Sequence, residues 1–142
     1  LRALLPAADL PVVQVSLPLP RTPELLAQAG RALAPLRAEG VLLLGSGGLV
    51  HNLRKLDWDG GSTPEPWAKG FEDWMMSGLQ AKDAGQLFQA ASLAPGYAFA
   101  APTPEHLDPV YFAFGASGDA SPTTFYEGWQ LGNLSLRAMA WA

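Results

Sequence analysis

A helix with well-marked ends lies between two short apolar runs near the start of this chain, and that order restricts the fold more than any other feature. Thr22-Pro23-Glu24 reads as an N-cap, a first-turn proline and an acid suited to the helix dipole. Leu25, Leu26, Ala29, Leu33 and Leu36 follow at helical spacing, and Gly40 stands where a C-terminal glycine belongs. Pro35 removes a backbone donor, so the last turns should kink. Before the helix, Pro11 to Leu17 (PVVQVSL) is rich in Val and alternates weakly, as a buried strand does, until Pro18 and Pro20 stop it. After the helix, 41–44 (VLLL) is short and wholly apolar, a second central strand. Strand, helix and strand in one sheet make a right-handed crossover and a parallel pair. The expected class is α/β, with a partly parallel central sheet flanked by helices.

The rest of the chain extends this pattern. A glycine-rich turn, Gly45-Ser46-Gly47-Gly48, leads into Leu49-Val50-His51-Asn52-Leu53, and 57–63 is a polar, glycine-rich loop. Over 64–82, Trp67, Phe71 and Trp74 fall three or four apart, which predicts an amphipathic helix with a core-facing aromatic stripe. A shorter helix is expected over 84–93. Thr103-Pro104-Glu105 repeats the helix-start chemistry, and that helix should run to about Ala116 with Pro109 in its first turns. Finally, 123–130 and 133–141 both alternate around Leu131-Gly132, which predicts C-terminal antiparallel strands joined by a hairpin or bend.

Composition narrows the partners. Apolar residues make up 49% and charged residues 15% of the 142, against roughly a quarter charged in an ordinary domain. Either much strand is buried, or one face is normally covered by chain not present here. The opening Leu1-Arg2-Ala3-Leu4-Leu5-Pro6 has no Met and reads as cut from inside a longer protein, so an incomplete domain is expected. A net charge of −4 without a basic run argues against nucleic acid, which needs clustered positive charge to displace counterions. The absence of cysteine excludes disulfides and thiolate metal sites. No stretch approaches the roughly 18 apolar residues of a membrane span, and the start lacks a signal-peptide pattern. The expectation is a soluble, cytoplasmic protein.

Only two histidines are present, and both stand where chemistry is placed. His51 follows an apolar strand and a glycine turn, at the strand end where open α/β sheets bind ligands. His106 lies in the first turn of an expected helix, beside Glu105. For each, a solvated or helix-capping histidine is the plainer alternative. The glycines do not form a phosphate loop, because Leu49-Val50 replace the required Lys-Ser/Thr pair. A dinucleotide fingerprint lacks its glycine at Val50, and a nucleophile elbow around Ser46 fails at Leu44. Their role is instead to let the chain turn sharply and bring His51 into a cleft. Asp57, Asp59, Glu105, Asp108 and Glu127 form no pair whose spacing singles it out for acid/base work.

Four segments carry a resemblance. VLLLGSGGLVHNL (41–53), APTPEHLDPVYFAFGA (101–116), EGWQLGNLSLRAM (127–139) and PVVQVSL (11–17) are similar, in the same order, to segments of the DOPA-dioxygenase branch of the class III extradiol ring-cleavage dioxygenases. The second resembles that family's HPTPEHFxPL motif. The resemblance implies that residues 1–142 are the C-terminal portion of a single dioxygenase domain that opens catechol-type rings beside their hydroxyls. It implies Fe(II) or Zn(II), with substrate and dioxygen both bound at the metal.

Carried over by residue, His106 is a metal ligand, and His51 is either a further ligand or the catalytic acid/base for the catechol proton. Two departures stand against a complete enzyme. Ala101 replaces the first His of the motif, and an N-terminal half that supplies two further histidines in the family has no counterpart here. The fragment alone is expected to be inactive. The competing reading is a non-catalytic, degenerate relative or half-domain that binds a small aromatic ligand or a partner chain. A nucleotide-binding module is weaker, since the phosphate-contacting residues are missing. The dioxygenase reading requires His51 and His106 to meet in one place.

Overall fold

The computed structural model describes residues 6–59 and 61–142. Helix α1 (Pro23–Leu33) starts as expected, with the Thr22 hydroxyl oxygen accepting from the Leu25 amide at 3.3 Å. At Ala34 it tightens into a 3₁₀ segment, Ala34–Glu39, which carries Pro35 and ends at Gly40 with φ 84°. The kink expected from Pro35 thus takes the form of a change in helix type, and the left-handed Gly40 closes it.

The buried face of α1 is Leu26, Ala27 and Gly30, and it lies against α6 (Asp108–Ala116). The two helices meet through reciprocal glycines. A Cβ on Gly30 would overlap the Phe112 carbonyl oxygen, and one on Gly115 would overlap that of Ala27. Backbones this close need glycine on both sides.

Helix α2 (Pro66–Ala81) forms the centre of the core. Ala68, Phe71, Met75 and Leu79 repeat at helical spacing and are fully buried. Trp67 and Trp74 pack on the edge of that core. The helix ends at Lys82 in the left-handed conformation. The single helix expected over 84–93 is two short ones, α3 (Ala84–Phe88) and α4 (Ala90–Leu93), broken at Gln89. Helix α5 (Tyr97–Ala100) follows. Phe88 sets its ring edge-on to Tyr111 and Phe114, joining α3 to α6.

The C-terminal strands pair as the alternation predicts. Strand β1 (Thr123–Tyr126) is antiparallel to β4 (Ala138–Ala140), and β2 (Trp129–Gln130) to β3 (Leu134–Ser135). The turn between β2 and β3 uses Leu131 (φ 51°) and Gly132 (φ 75°). A buried ion pair ties this hairpin to α2. Glu72, 0% exposed, accepts from Arg137 at 3.0 Å and from the Ser135 hydroxyl.

The expected parallel pair is not seen among the described residues. Residues 11–17 and 41–44 take no strand hydrogen-bonding pattern, and the described residues hold only the two small antiparallel sheets. Val13 is 83% and Leu42 81% exposed, so two Val- and Leu-rich segments lie open to solvent. Both segments are apolar, but burial requires neighbours that the described residues do not place beside them. No helix among the described residues is long and apolar enough to cross a membrane.

Candidate active site

The glycine turn delivers His51 by close backbone approach. A Cβ on Gly47 would overlap the His106 carbonyl oxygen, and one on Gly45 would come within 2.8 Å of the Pro109 carbonyl oxygen. The Gly48 amide instead donates to that His106 carbonyl at 2.8 Å. Segment 45–48 therefore runs against segment 106–109, which explains the glycines without a phosphate ligand. Beyond it, Ser135 N–H donates to the Val50 carbonyl at 3.3 Å, and His51 N–H to the Ala100 carbonyl at 3.0 Å.

His106 lies in a 3₁₀ turn, Pro104–His106, that precedes α6, so the helix expected from Thr103 onward begins only at Asp108. Thr103 spends its hydroxyl on Glu105 at 2.7 Å instead of capping the turn. That hydrogen bond holds the Glu105 carboxyl below its usual range.

The two histidines meet. Their ring centroids are 3.9 Å apart and the planes 26° from parallel, a stacked pair. His51 is half-buried and His106 exposed. Burial lowers the His51 pKa, and the neighbouring His106 lowers it further. The neutral imidazole, the form that binds a metal or accepts a proton, is thereby favoured.

As a metal site the set is partial. Two imidazoles are in place, but among the described residues no three His, Asp or Glu side chains converge. Asp108, two residues on and the first residue of α6, is buried, which pushes its carboxyl up, and its Oδ2 has no hydrogen-bond partner; Arg21 Nε lies 3.5 Å away. Ala101, at the position of the motif's first histidine, is 7% exposed within the apolar core. Among the described residues, one shallow surface concavity is lined by Lys55, Asp57, Glu65 and Trp67 and another by Ser62, Trp129 and Gln130, and neither includes a histidine.

Sequence reasoning missed three polar residues on or hydrogen-bonded to the segment that carries His51. Asn52, Asn133 and Ser135 are buried polar groups on its supporting segments. Their only signal was a polar residue inside apolar stretches.

The chain is thus a mixed helix-and-strand domain with a histidine pair beside a glycine turn. Residues 1–134 match the model of the catalytic LigB subunit of aromatic ring-opening dioxygenase, and the chain belongs to that family. It is 36% identical over 134 residues to a 4,5-DOPA dioxygenase extradiol of Escherichia coli K12 and 38% identical over 141 to one of Portulaca grandiflora. These matches cover 92% and 94% of this chain but 49% and 50% of the relatives, so the chain spans about half their length. The crystal structure of an uncharacterised Escherichia coli K12 protein superimposes with a TM-score of 0.85 at 33% identity, covering 97% of this chain and 58% of that one.

Proposed function

We propose that this chain is the C-terminal portion of a single extradiol dioxygenase domain that opens a DOPA-like catechol ring. The observation that carries the reading is the stacked His51–His106 pair in a member of the LigB family. Bound Fe(II) or Zn(II) would supply coordination positions for the catechol oxygens and dioxygen. His106, exposed on its turn, is the ligand from this chain. His51, kept neutral by burial and by its neighbour, either joins the ligand set or takes the catechol proton. The remaining ligands come from the half of the relatives' length that this chain does not match, so the fragment alone is inactive.

The same half would complete a partly parallel central sheet. Segments 11–17 and 41–44 are rich in apolar residues and largely exposed, the condition of strands whose neighbours are supplied from elsewhere. Catechol and dioxygen are the partners of this reading, and neither nucleic acid nor a membrane has a part in it. A cytoplasmic location belongs to the same proposal.

The test is oxygen uptake, together with absorbance of the ring-opened product, by the intact Fe(II)-loaded protein given DOPA or simple catechols. His51→Ala and His106→Ala should each lower kcat by at least about 100-fold, the scale of losing a positioned acid/base or ligand. A loaded parent that consumes no oxygen with any catechol would sink the reading. One observation favours the alternative, a degenerate relative that binds an aromatic ligand without turnover: Ala101 can neither ligate nor carry a proton, and it is packed in the core. Metal and catechol binding without oxygen uptake would be its signature.

A further inference from the structure

The segment that carries His51 is gripped by a buried amide 81 residues further along the chain. Asn133 is 0% exposed and lies just after the β2–β3 turn. Its Oδ1 accepts from the Asn52 amide at 3.2 Å, and its Nδ2 donates to the Lys55 carbonyl at 2.6 Å. One side chain thus holds both ends of the 52–55 turn, directly after His51. Asn52 is equally committed. Its Nδ2 donates to the Phe99 carbonyl at 2.7 Å, and its Oδ1 accepts from the Arg54 amide at 3.0 Å.

The turn before Asn133 binds the same region again. The Leu131 carbonyl accepts from the Asp57 amide at 3.0 Å, and the Gly132 carbonyl from the Glu65 amide at 2.7 Å. Leu131 does this at φ 51°, a left-handed conformation that costs a branched residue about 1–2 kcal/mol. Such strain persists where surrounding contacts over-determine it, and it clusters at functional sites. A hairpin turn needs none of this, since a polar side chain at its end is ordinarily left in solvent. Here the amide is turned inward, fully desolvated, and spent on the backbone beside one histidine.

We propose that Asn133, by holding both ends of the 52–55 turn, is a positioning residue that fixes the His51 imidazole against His106. The proposal rests on the dioxygenase reading for its effect on turnover, but its geometric content is independent of it.

The experiment compares Asn133→Ala and Asn133→Asp in the intact protein with Leu87→Ala, a core truncation away from the site. Asn133→Asp keeps the acceptor for Asn52 and removes the donor to Lys55. Three readings are taken: kcat and KM, metal affinity by chelator competition, and the imidazole proton shifts of His51 and His106 in metal-free, histidine-labelled protein. Two rings 3.9 Å apart shift each other's signals, so the shifts report their stacking directly.

Asn133→Ala should lower kcat and metal affinity by roughly 10- to 100-fold, the usual loss for an outer-shell partner, with KM within about threefold. It should also abolish the mutual ring-current shift, and Asn133→Asp should fall between it and the parent. Leu87→Ala, although less stable, should keep parental kcat and shifts. Parental shifts in folded Asn133→Ala overturn the proposal, as does an equal loss in Leu87→Ala. If Asn133→Ala does not fold, parental shifts in Asn133→Asp overturn it instead. A parent with stacked imidazoles but no ring cleavage removes the dioxygenase reading alone, and the shifts then still decide the positioning role.

Discussion

A second imidazole 3.9 Å away disfavours a proton on His51. On His51 burial is the larger cause and His106 the second, and both lower the pKa. The sign for stability follows. An unfolded chain protonates this side chain near pH ~6.5, whereas the folded chain resists until lower pH. The contribution is therefore complete above about pH 6.5 and is lost as the pH falls toward the folded value. Denaturant unfolding between about pH 7.5 and 5.5, above the carboxylate range, should show stability falling with pH, and His51→Gln should flatten that slope. An unchanged slope would mean that the pair does not disfavour the proton.

Glu72 gives a second prediction at this scale. It is fully buried, with Arg137 and Ser135 as its partners, and Arg137 also reaches the exposed Glu127 at 2.8 Å. Glu72→Ala strips the guanidinium of its buried partner and should cost about 3–5 kcal/mol by urea unfolding.

Among the elements, the α1–α6 contact makes opposite predictions for one kind of substitution. Gly115→Ala puts a methyl group into the Ala27 carbonyl, so the helices must separate. The expected loss is at the upper end of about 1–3 kcal/mol, since backbone rather than a flexible side chain must move. Gly70→Ala, within α2 and with open space around the new methyl, should stabilise by about 0.5–1 kcal/mol through helix propensity. Thermal melts of the two variants against the parent check both signs. Both glycines sit in readable helical stretches, yet nothing local tells them apart. The difference is made by a helix more than 80 residues away, pressed against one and not the other.

For the whole molecule the decisive feature is the exposure of 11–17 and 41–44. Under the proposed half-domain reading, hydrogen exchange should find the amides of both segments protected in the intact protein and fast in this chain alone. Fast exchange in both would mean that no strand is added there, and the sheet proposal would fail.

The same feature marks how far local reasoning reached. Caps, first-turn prolines and the Gly40 terminator placed α1, and periodicity placed α2 and the closing hairpin, because each rule acts over a few adjacent residues. The apolar runs were recognised as strand-like, but a strand's partner is a non-local choice that no run of residues specifies about itself.

His51 and His106 stood out because they are the chain's two histidines and each follows a chain-turning motif. Their stacking, the glycine-to-carbonyl approach that produces it, and the inward turn of Asn133 could not be read that way. Each depends on two segments far apart in the chain arriving within a few ångströms, and a polar side chain acquires its partners only once its surroundings are dry. Residue type and spacing named the groups; packing set their distances, protonation and company.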